Sequence, residues 1–248
     1  MKISVITTSF NSAGTIRDTL DSVAMQTYPD IEHIIIDNQS TDDTLAIVAA
    51  YPHIAKVVSE KDNGIYYGMN KGLELATGDI VCFLNSDDWY AHKNVLQTVA
   101  EAFLKLGTDV VYGDLQYVDK IKTGKIKRTW RSGKFNPKKM FYGWMPPHPA
   151  FFALKKVYDK TGGYNTGFRS AADYEIMLRI LILHQFSAGY VPDILVKMRA
   201  GGYSNATINN RVKANNEDAR AWAVNGLKPH FLFRYLKPLR KIPQFIFR

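Results

Sequence analysis

The segment Ile80 to Trp89 (IVCFLNSDDW) runs from five apolar residues into an amide, a hydroxyl and two adjacent carboxylates, Asp87 and Asp88. Adjacent carboxylates repel, so placing them where a buried strand ends is favourable chiefly when a cation or the hydrogen-bond donors of a ligand sit between them. Hard oxygen donors of this kind suit Mg2+ or Mn2+, ions that accompany phosphate. A second reading stands beside the first: Asp is a favoured N-cap, and the pair could cap a helix beginning near Ala91.

Positioning such a site requires particular elements. Short β-branched runs predict strands at 3–8, 31–37, 55–59, 79–84 and 109–112, and periodic apolar faces between them predict helices at 15–26, 41–51, 65–76 and 91–106. This alternation implies an α/β, Rossmann-like, mostly parallel sheet flanked by helices, with ligands beyond the carboxyl ends of the strands. Three polar clusters fall at such ends, at residues 7–11, 37–40 and 85–88. Neither G-x-G-x-x-G nor G-x-x-x-x-G-K-[ST] occurs, so phosphate would be held by a metal and side chains instead of a glycine cradle.

At 248 residues the chain can bury the core of one α/β domain with a small appendage. The lone Cys82 excludes an internal disulfide and a zinc cluster built from cysteines. The start of the chain is strand-like, without the pattern of a signal peptide, and no apolar stretch reaches the roughly 18 residues needed to span a bilayer. A reducing, cytoplasmic location is the expectation. The net charge of +9 is local. Residues 120–139 and 219–248 hold sixteen of the 32 Lys/Arg and none of the 23 Asp/Glu, leaving the remainder net acidic. Two basic segments thus face an anionic partner.

The motifs VITTSFN (5–11), DNQSTDDT (37–44), SEKDNG (59–64), MNKG (69–72), ATGD (76–79) and LNSDD (84–88) together resemble the family 2 glycosyltransferases with the nucleotide-sugar-binding GT-A fold. The resemblance continues through HPAFF (148–152), GGY (162–164) and AADYE (171–175), covering roughly residues 2–205. It implies a nucleotide-sugar-binding half at 1–113, an acceptor and catalytic-base half at 114–205, and a C-terminal helix with a basic aromatic tail at 206–248. Thr8 and Phe10 would line the base pocket, and Asp37 and Asp62 would bond base or ribose. Asn11, Asn38, Asn70 and Asn85 would complete the donor site, with Asp87 the metal ligand and Asp88 a second ligand or ribose contact. Asp173 matches the general base. Two positions depart from the family pattern: Asn38 replaces the second of the usual paired acids, and Asn85 replaces the first Asp of D-x-D. An amide keeps the hydrogen-bond partner and removes the charge, which leaves the strictness of a metal requirement open.

The implied reaction is an inverting transfer from a nucleotide diphosphate sugar, a UDP-sugar by expectation, to a hydroxyl of a lipid-linked glycan in surface polysaccharide synthesis. Asp173 is alternatively a first-turn residue favoured by the helix dipole, and Glu175 competes for the same role. His148, stiffened by flanking prolines, is either an acceptor or diphosphate contact or a structural residue. Arg179 reads as helix support. Trp130, Trp144 and Tyr142 offer rings for sugar stacking or for the core, and Gly201 to Asn205 offers a turn that closes over the donor or an ordinary loop. The tail from Leu227 mixes aromatic and basic residues, divided by Pro229, Pro238 and Pro243. It fits an anionic membrane surface on the inner face of the cytoplasmic membrane, its own domain, or the second chain of a homodimer. A sugar-1-phosphate nucleotidyltransferase would share the fold class, but its glycine-rich loop is missing after Ile6. A nucleic-acid partner is not expected, because carboxylates gathered at strand ends repel phosphate.

Overall fold

The computed structural model describes residues 1–201 and 208–246, with side chains for 1–201 and 215–245. Four parallel strands come first: β1 (Ile3–Ser9), β2 (Ile31–Asp37), β3 (Ile54–Ser59) and β4 (Ile80–Phe83). Between them run α1 (Ile16–Ala24), α2 (Thr44–Val48) and α3 (Ile65–Leu75). In α1 the residues Ile16, Leu20 and Val23 recur at helical spacing and are buried together, which is why this segment is a helix lying on the sheet. Helix α3 lies unusually close to β1. A Cβ at Gly72 would stand 2.3 Å from Ile6 Cγ2, so only glycine permits that approach.

Beyond β4 the chain departs from expectation. Asp88 opens no helix but a strand, β5 (Asp88–Tyr90), and α4 (Val95–Leu106) starts four residues after Ala91. The capping reading of Asp87 and Asp88 is therefore corrected: the helix has Asn94 ahead of it, and Asp88 is committed to strand pairing. There follow β6 (Val110–Val118), β7 (Ile126–Trp130), α5 (Pro137–Met140), β8 (Phe151–Leu154), α6 (Lys155–Thr161) and α7 (Ala172–Leu178). A π-helical turn extends α7 to Leu183 before β9 (Ala188–Arg199), α8 (Ile208–Val224), α9 (Phe233–Leu239) and α10 (Pro243–Ile246).

Among the described residues one sheet carries all nine strands in the order β3-β2-β1-β4-β8-β6-β9-β5, with β7 beside β6. β8 is antiparallel to both β4 and β6, so the sheet is mixed where the second half of the chain enters it. The division at 113 falls inside β6, and both halves share this sheet. Alternation along β1 fills two cores. Ile6 packs with Phe83, α3 and α7 on one face, while Ile3 and Val5 pack with Cys82 and the apolar side of α4 on the other.

The C-terminal arm folds back on its own domain. Phe233 is buried against Tyr174 and Trp222, Lys237 pairs with Asp218 at 2.7 Å, and Arg128 donates to Gln244 at 2.8 Å. The basic stretch 120–139 is thus partly internal, with Arg128 lying 3.8 Å over the Tyr117 ring. Among the described residues no helix is long and apolar enough to cross a membrane. Past Gly201, the turn expected at 201–205 lies outside the described residues.

Candidate active site

The three polar strand ends converge and are stitched to one another. From the β1 end, Asn11 donates its backbone N–H to Ser40 Oγ at 2.8 Å, and its side-chain Oδ1 accepts from the Thr41 N–H at 2.9 Å. Ser12 donates to Thr44 Oγ1 at 2.7 Å, and its hydroxyl meets that of Ser86, from the loop after β4, at 2.8 Å. Asn11 adopts φ of +47°, a left-handed conformation that asparagine tolerates. Beneath these loops Asp37 is 0 % exposed. It accepts from Ser9 Oγ (2.9 Å), Ser40 Oγ (2.5 Å), Ser40 N (2.8 Å) and Ser59 Oγ (2.8 Å). Both its oxygens accept from the protein, so Asp37 ties the three loops together at the crevice floor.

Other expected donor residues divide between ligand-facing and structural. Phe10 stands 57 % exposed at the rim, an apolar surface open among the described residues. Asn38 receives the backbone N–H of Asp62, and the Asp62 carboxylate is ion-paired with Lys71. Asp62 and Thr8 flank Gly68, whose added Cβ would meet Asp62 Oδ2 at 3.1 Å and Thr8 Cγ2 at 3.3 Å. Asn70 is engaged by the second half of the chain: its amide donates to Tyr164 O at 2.9 Å and accepts from Tyr164 N at 2.7 Å, clamping that loop to α3.

Two buried side-chain polar atoms among the described residues have no hydrogen-bond partner, Thr8 Oγ1 and Asp88 Oδ1. Thr8 lies near the carboxyl end of β1, and Asp88 opens β5 just past the loop that follows β4. Such orphans cost on the order of 1–3 kcal/mol each unless something binds them. Burial pushes the Asp88 carboxyl well above the usual carboxylate range, and the charge of Asp87 adds to this, while Asn85 and Arg199 pull the other way. Burial raises Asp87 as well. Asn85 reaches Asp88 Oδ2 at only 3.4 Å. No group of three or more His, Cys, Asp or Glu is gathered among the described residues. Two hard carboxylates are nevertheless the protein share that Mg2+ commonly takes, and the orphaned Asp88 oxygen fits that use.

Arg199 was not singled out from the sequence. It is buried at the end of β9, donates to Asp87 O at 2.7 Å, pairs with Asp18 and stacks 4.6 Å over Trp89. Its only local signal is an arginine ending an apolar strand, and its partners lie 112 and 181 positions away.

Asp173 sits at the start of α7 within an aromatic nest. His148 Nε2 meets the Tyr164 hydroxyl at 2.7 Å, Tyr164 packs edge-on to Phe83 at 5.0 Å, and Tyr66 stacks on Tyr164 at 5.8 Å. Burial raises the Asp173 carboxyl, with the neighbouring His148 opposing the shift. Burial in turn lowers His148, keeping it neutral, and Asp173 opposes that. Glu175, the competing base, is buried and bound by Arg179 through Nε at 3.0 Å and Nη2 at 2.6 Å, with Asn225 at 3.1 Å. Arg179 further donates to Thr161 O and Gly163 O, so the pair braces α7 as expected for Arg179. Trp144 is buried, with its indole N–H on Ser132 O at 3.0 Å, so its ring belongs to the core.

Residues 4–176 match the family described as glycosyl transferase family 2. A PGL/p-HBAD biosynthesis glycosyltransferase of Mycobacterium bovis is 29% identical over 213 residues, covering 83% of this chain and 80% of the relative. An uncharacterized glycosyltransferase of Mycobacterium tuberculosis is 36% identical over 188 residues, 73% of this chain and 69% of the relative. Among solved structures, S. aureus TarS 1–349 in complex with UDP-GlcNAc matches with a TM-score of 0.71 at 20% identity, over 95% of this chain and 69% of that one. The mannosyltransferase PcManGT from Pyrobaculum calidifontis, in complex with GDP-Man and Mn2+, matches at 0.65 and 19% identity, over 96% and 68%. This chain spans 39% of the longer TarS chain. The shared architecture is the GT-A fold, with its mostly parallel sheet flanked by helices. Motifs, fold and matched length agree, and the chain belongs to glycosyl transferase family 2.

Proposed function

We propose that this glycosyltransferase moves a sugar, with inversion, from a UDP-sugar to a hydroxyl of a lipid-linked glycan. The observation that carries the donor side is the pair of orphaned buried atoms, Thr8 Oγ1 near the end of β1 and Asp88 Oδ1 just past the loop after β4. A ligand rich in hydroxyl and phosphate groups would satisfy both. Thr8, Phe10, Asn38 and Asp62 surround the nucleoside in this reading, and Asn85 and Asp88 meet ribose or phosphate. Mg2+ or Mn2+ held by Asp87 and Asp88 would supply Lewis-acid neutralisation of the departing diphosphate.

The acceptor hydroxyl is a poor nucleophile and needs a carboxylate in hydrogen-bond reach. Asp173 is the base in our reading, because Glu175 is occupied by Arg179 and Asn225. A single base opposite the leaving group makes the reaction one in-line displacement, hence inversion. A lipid-linked acceptor is supported by the outer surface of the arm. Phe231 is 79 % and Tyr235 70 % exposed, with Arg234 and Arg240 beside them and no acid from residue 219 onward, a composition suited to an anionic bilayer at the cytoplasmic face.

Thermal denaturation with UDP-, GDP-, CDP- and dTDP-sugars in Mn2+ tests the donor. A ligand selective for the folded state raises Tm according to its affinity. The rise should be largest with a UDP-sugar and should fall in Thr8→Val, and a failure of all four to shift Tm would refute the proposal.

A further inference from the structure

Two clefts open near α7. One, of about 380 Å³, is lined by Glu175, Arg179 and Asn225, which are occupied with one another. The other, of about 320 Å³, lies between the start of α3 and the 166–169 turn.

We infer that this second cleft is the acceptor subsite and that it takes a sugar ring. Its walls are Tyr66, Tyr67 and Phe168, and Asn63, Thr166 and Arg169 line it as well. Sugars present apolar C–H faces and polar hydroxyl edges, which aromatic walls with interspersed polar groups complement. Tyr67 is 38 % exposed, leaving ring surface for a ligand, while Tyr66 is buried. Tyr66 stacks on Tyr164 at 5.8 Å, and the Tyr164 hydroxyl meets His148, so one wall of the cleft adjoins the aromatic nest around the residue proposed as base.

The opposite wall is held in place before any ligand arrives. Glu217 on α8 accepts from Arg169 N at 2.9 Å and from Ser170 N and Oγ at 2.7 Å each. Arg220 donates to Gly167 O at 3.1 Å and lies 4.7 Å over the Phe168 ring. Preorganisation of this kind lowers the entropy lost on binding. Gly64, at φ of +132°, makes the turn into α3 in a conformation that favours glycine.

The acceptor role rests on the glycosyl-transfer reading, and the test separates the two. Saturation-transfer NMR is recorded on the full chain with UDP present, using methyl β-glucoside, methyl β-galactoside and methyl N-acetyl-β-glucosaminide as probes. At least one probe should bind, weaken fivefold or more in Tyr67→Ala, and recover in Tyr67→Phe, with the UDP-induced Tm shift unchanged in both variants. The inference is overturned if no probe binds, if Tyr67→Ala binds the probes as the parent does, or if Tyr67→Ala weakens UDP equally, which would make the cleft a base pocket. Probe binding that depends on Tyr67 in a protein showing no UDP shift would support the sugar subsite and remove the donor reading instead.

Discussion

The imidazole of His148 lies 2.7 Å from the hydroxyl of Tyr164, and the carboxylate of Asp173 lies within electrostatic reach of both. Tyr164 is in turn gripped at its backbone by Asn70. A residue of α3 thus fixes the surroundings of a carboxylate on α7.

Asp173→Asn should lower kcat by about 10²–10⁴-fold, the usual worth of a general base, and change donor KM little. Burial raises the Asp173 pKa, so the acid limb of the parent's kcat/KM profile should lie above the ordinary carboxylate range. Initial rates from pH 4 to 9 check both; full activity in the variant would displace the base from this position.

Asp88→Asn should abolish or severely reduce transfer while raising the Tm of the ligand-free protein. The folded state holds this group's proton more tightly than the unfolded chain does, so its ionisation costs stability as pH rises above the ordinary carboxylate pKa. The variant's advantage over the parent should therefore be greater at pH 7 than at pH 4. On the order of 2–4 °C is expected per kcal/mol relieved. An equal or lower Tm at pH 7 would mean the buried charge is satisfied within the protein.

Arg179→Ala should destabilise the fold by about 3–5 kcal/mol, because it strands the buried Glu175 carboxylate. Urea denaturation reads this directly. The double variant Arg179→Ala/Glu175→Ala should recover part of the loss, and an additive result would exclude coupling between them.

Glu32 is partly desolvated, yet hydrogen bonds from Ser4, Thr77 and Lys2 hold its pKa down at about 2. A depressed carboxylate stabilises the fold above its unfolded value near 4.5 and loses that contribution as pH falls through about 2. Glu32→Gln should cost roughly 2–3 kcal/mol at pH 7. The gap between variant and parent should close progressively below pH 4.5 in denaturant titrations.

Phe231→Ser/Tyr235→Ser, both at well-exposed positions, should leave Tm unchanged and reduce co-sedimentation with phosphatidylglycerol vesicles several-fold. Binding by the parent should also weaken from 50 to 300 mM salt. Equal vesicle binding by the variant would assign the arm to packing on its own domain alone.

Local patterns revealed the convergence of the three polar strand ends. A β-branched run followed by hydroxyls, amides and acids marks the carboxyl end of a parallel strand, and the clusters at residues 7–11, 37–40 and 85–88 do meet. What a residue spends its hydrogen bonds on was not legible in the same way. Asp37 and Asn70 have the chemistry of ligand contacts, but their partners are supplied by segments up to 94 residues distant. The helix expected from Ala91 begins only at Val95 for a related reason: Asp88 to Tyr90 pair with Val196 to Met198, a contact that no window around residue 88 contains. Glu175 and Arg179 stand four apart on one helical segment, so their pairing was the most accessible of the structural roles.

The pairing of β5 with β9 bears on how this enzyme could be re-engineered. Asp88 belongs to the nucleotide side by sequence, yet its backbone neighbour is Met198 and its local cation is Arg199. A chimaera joined at residue 113 would cut β6 and import a foreign β9 beneath the acidic loop. Grafting a new acceptor specificity onto this donor site therefore requires keeping Val196 to Arg199 with the first 113 residues, as a discontinuous module.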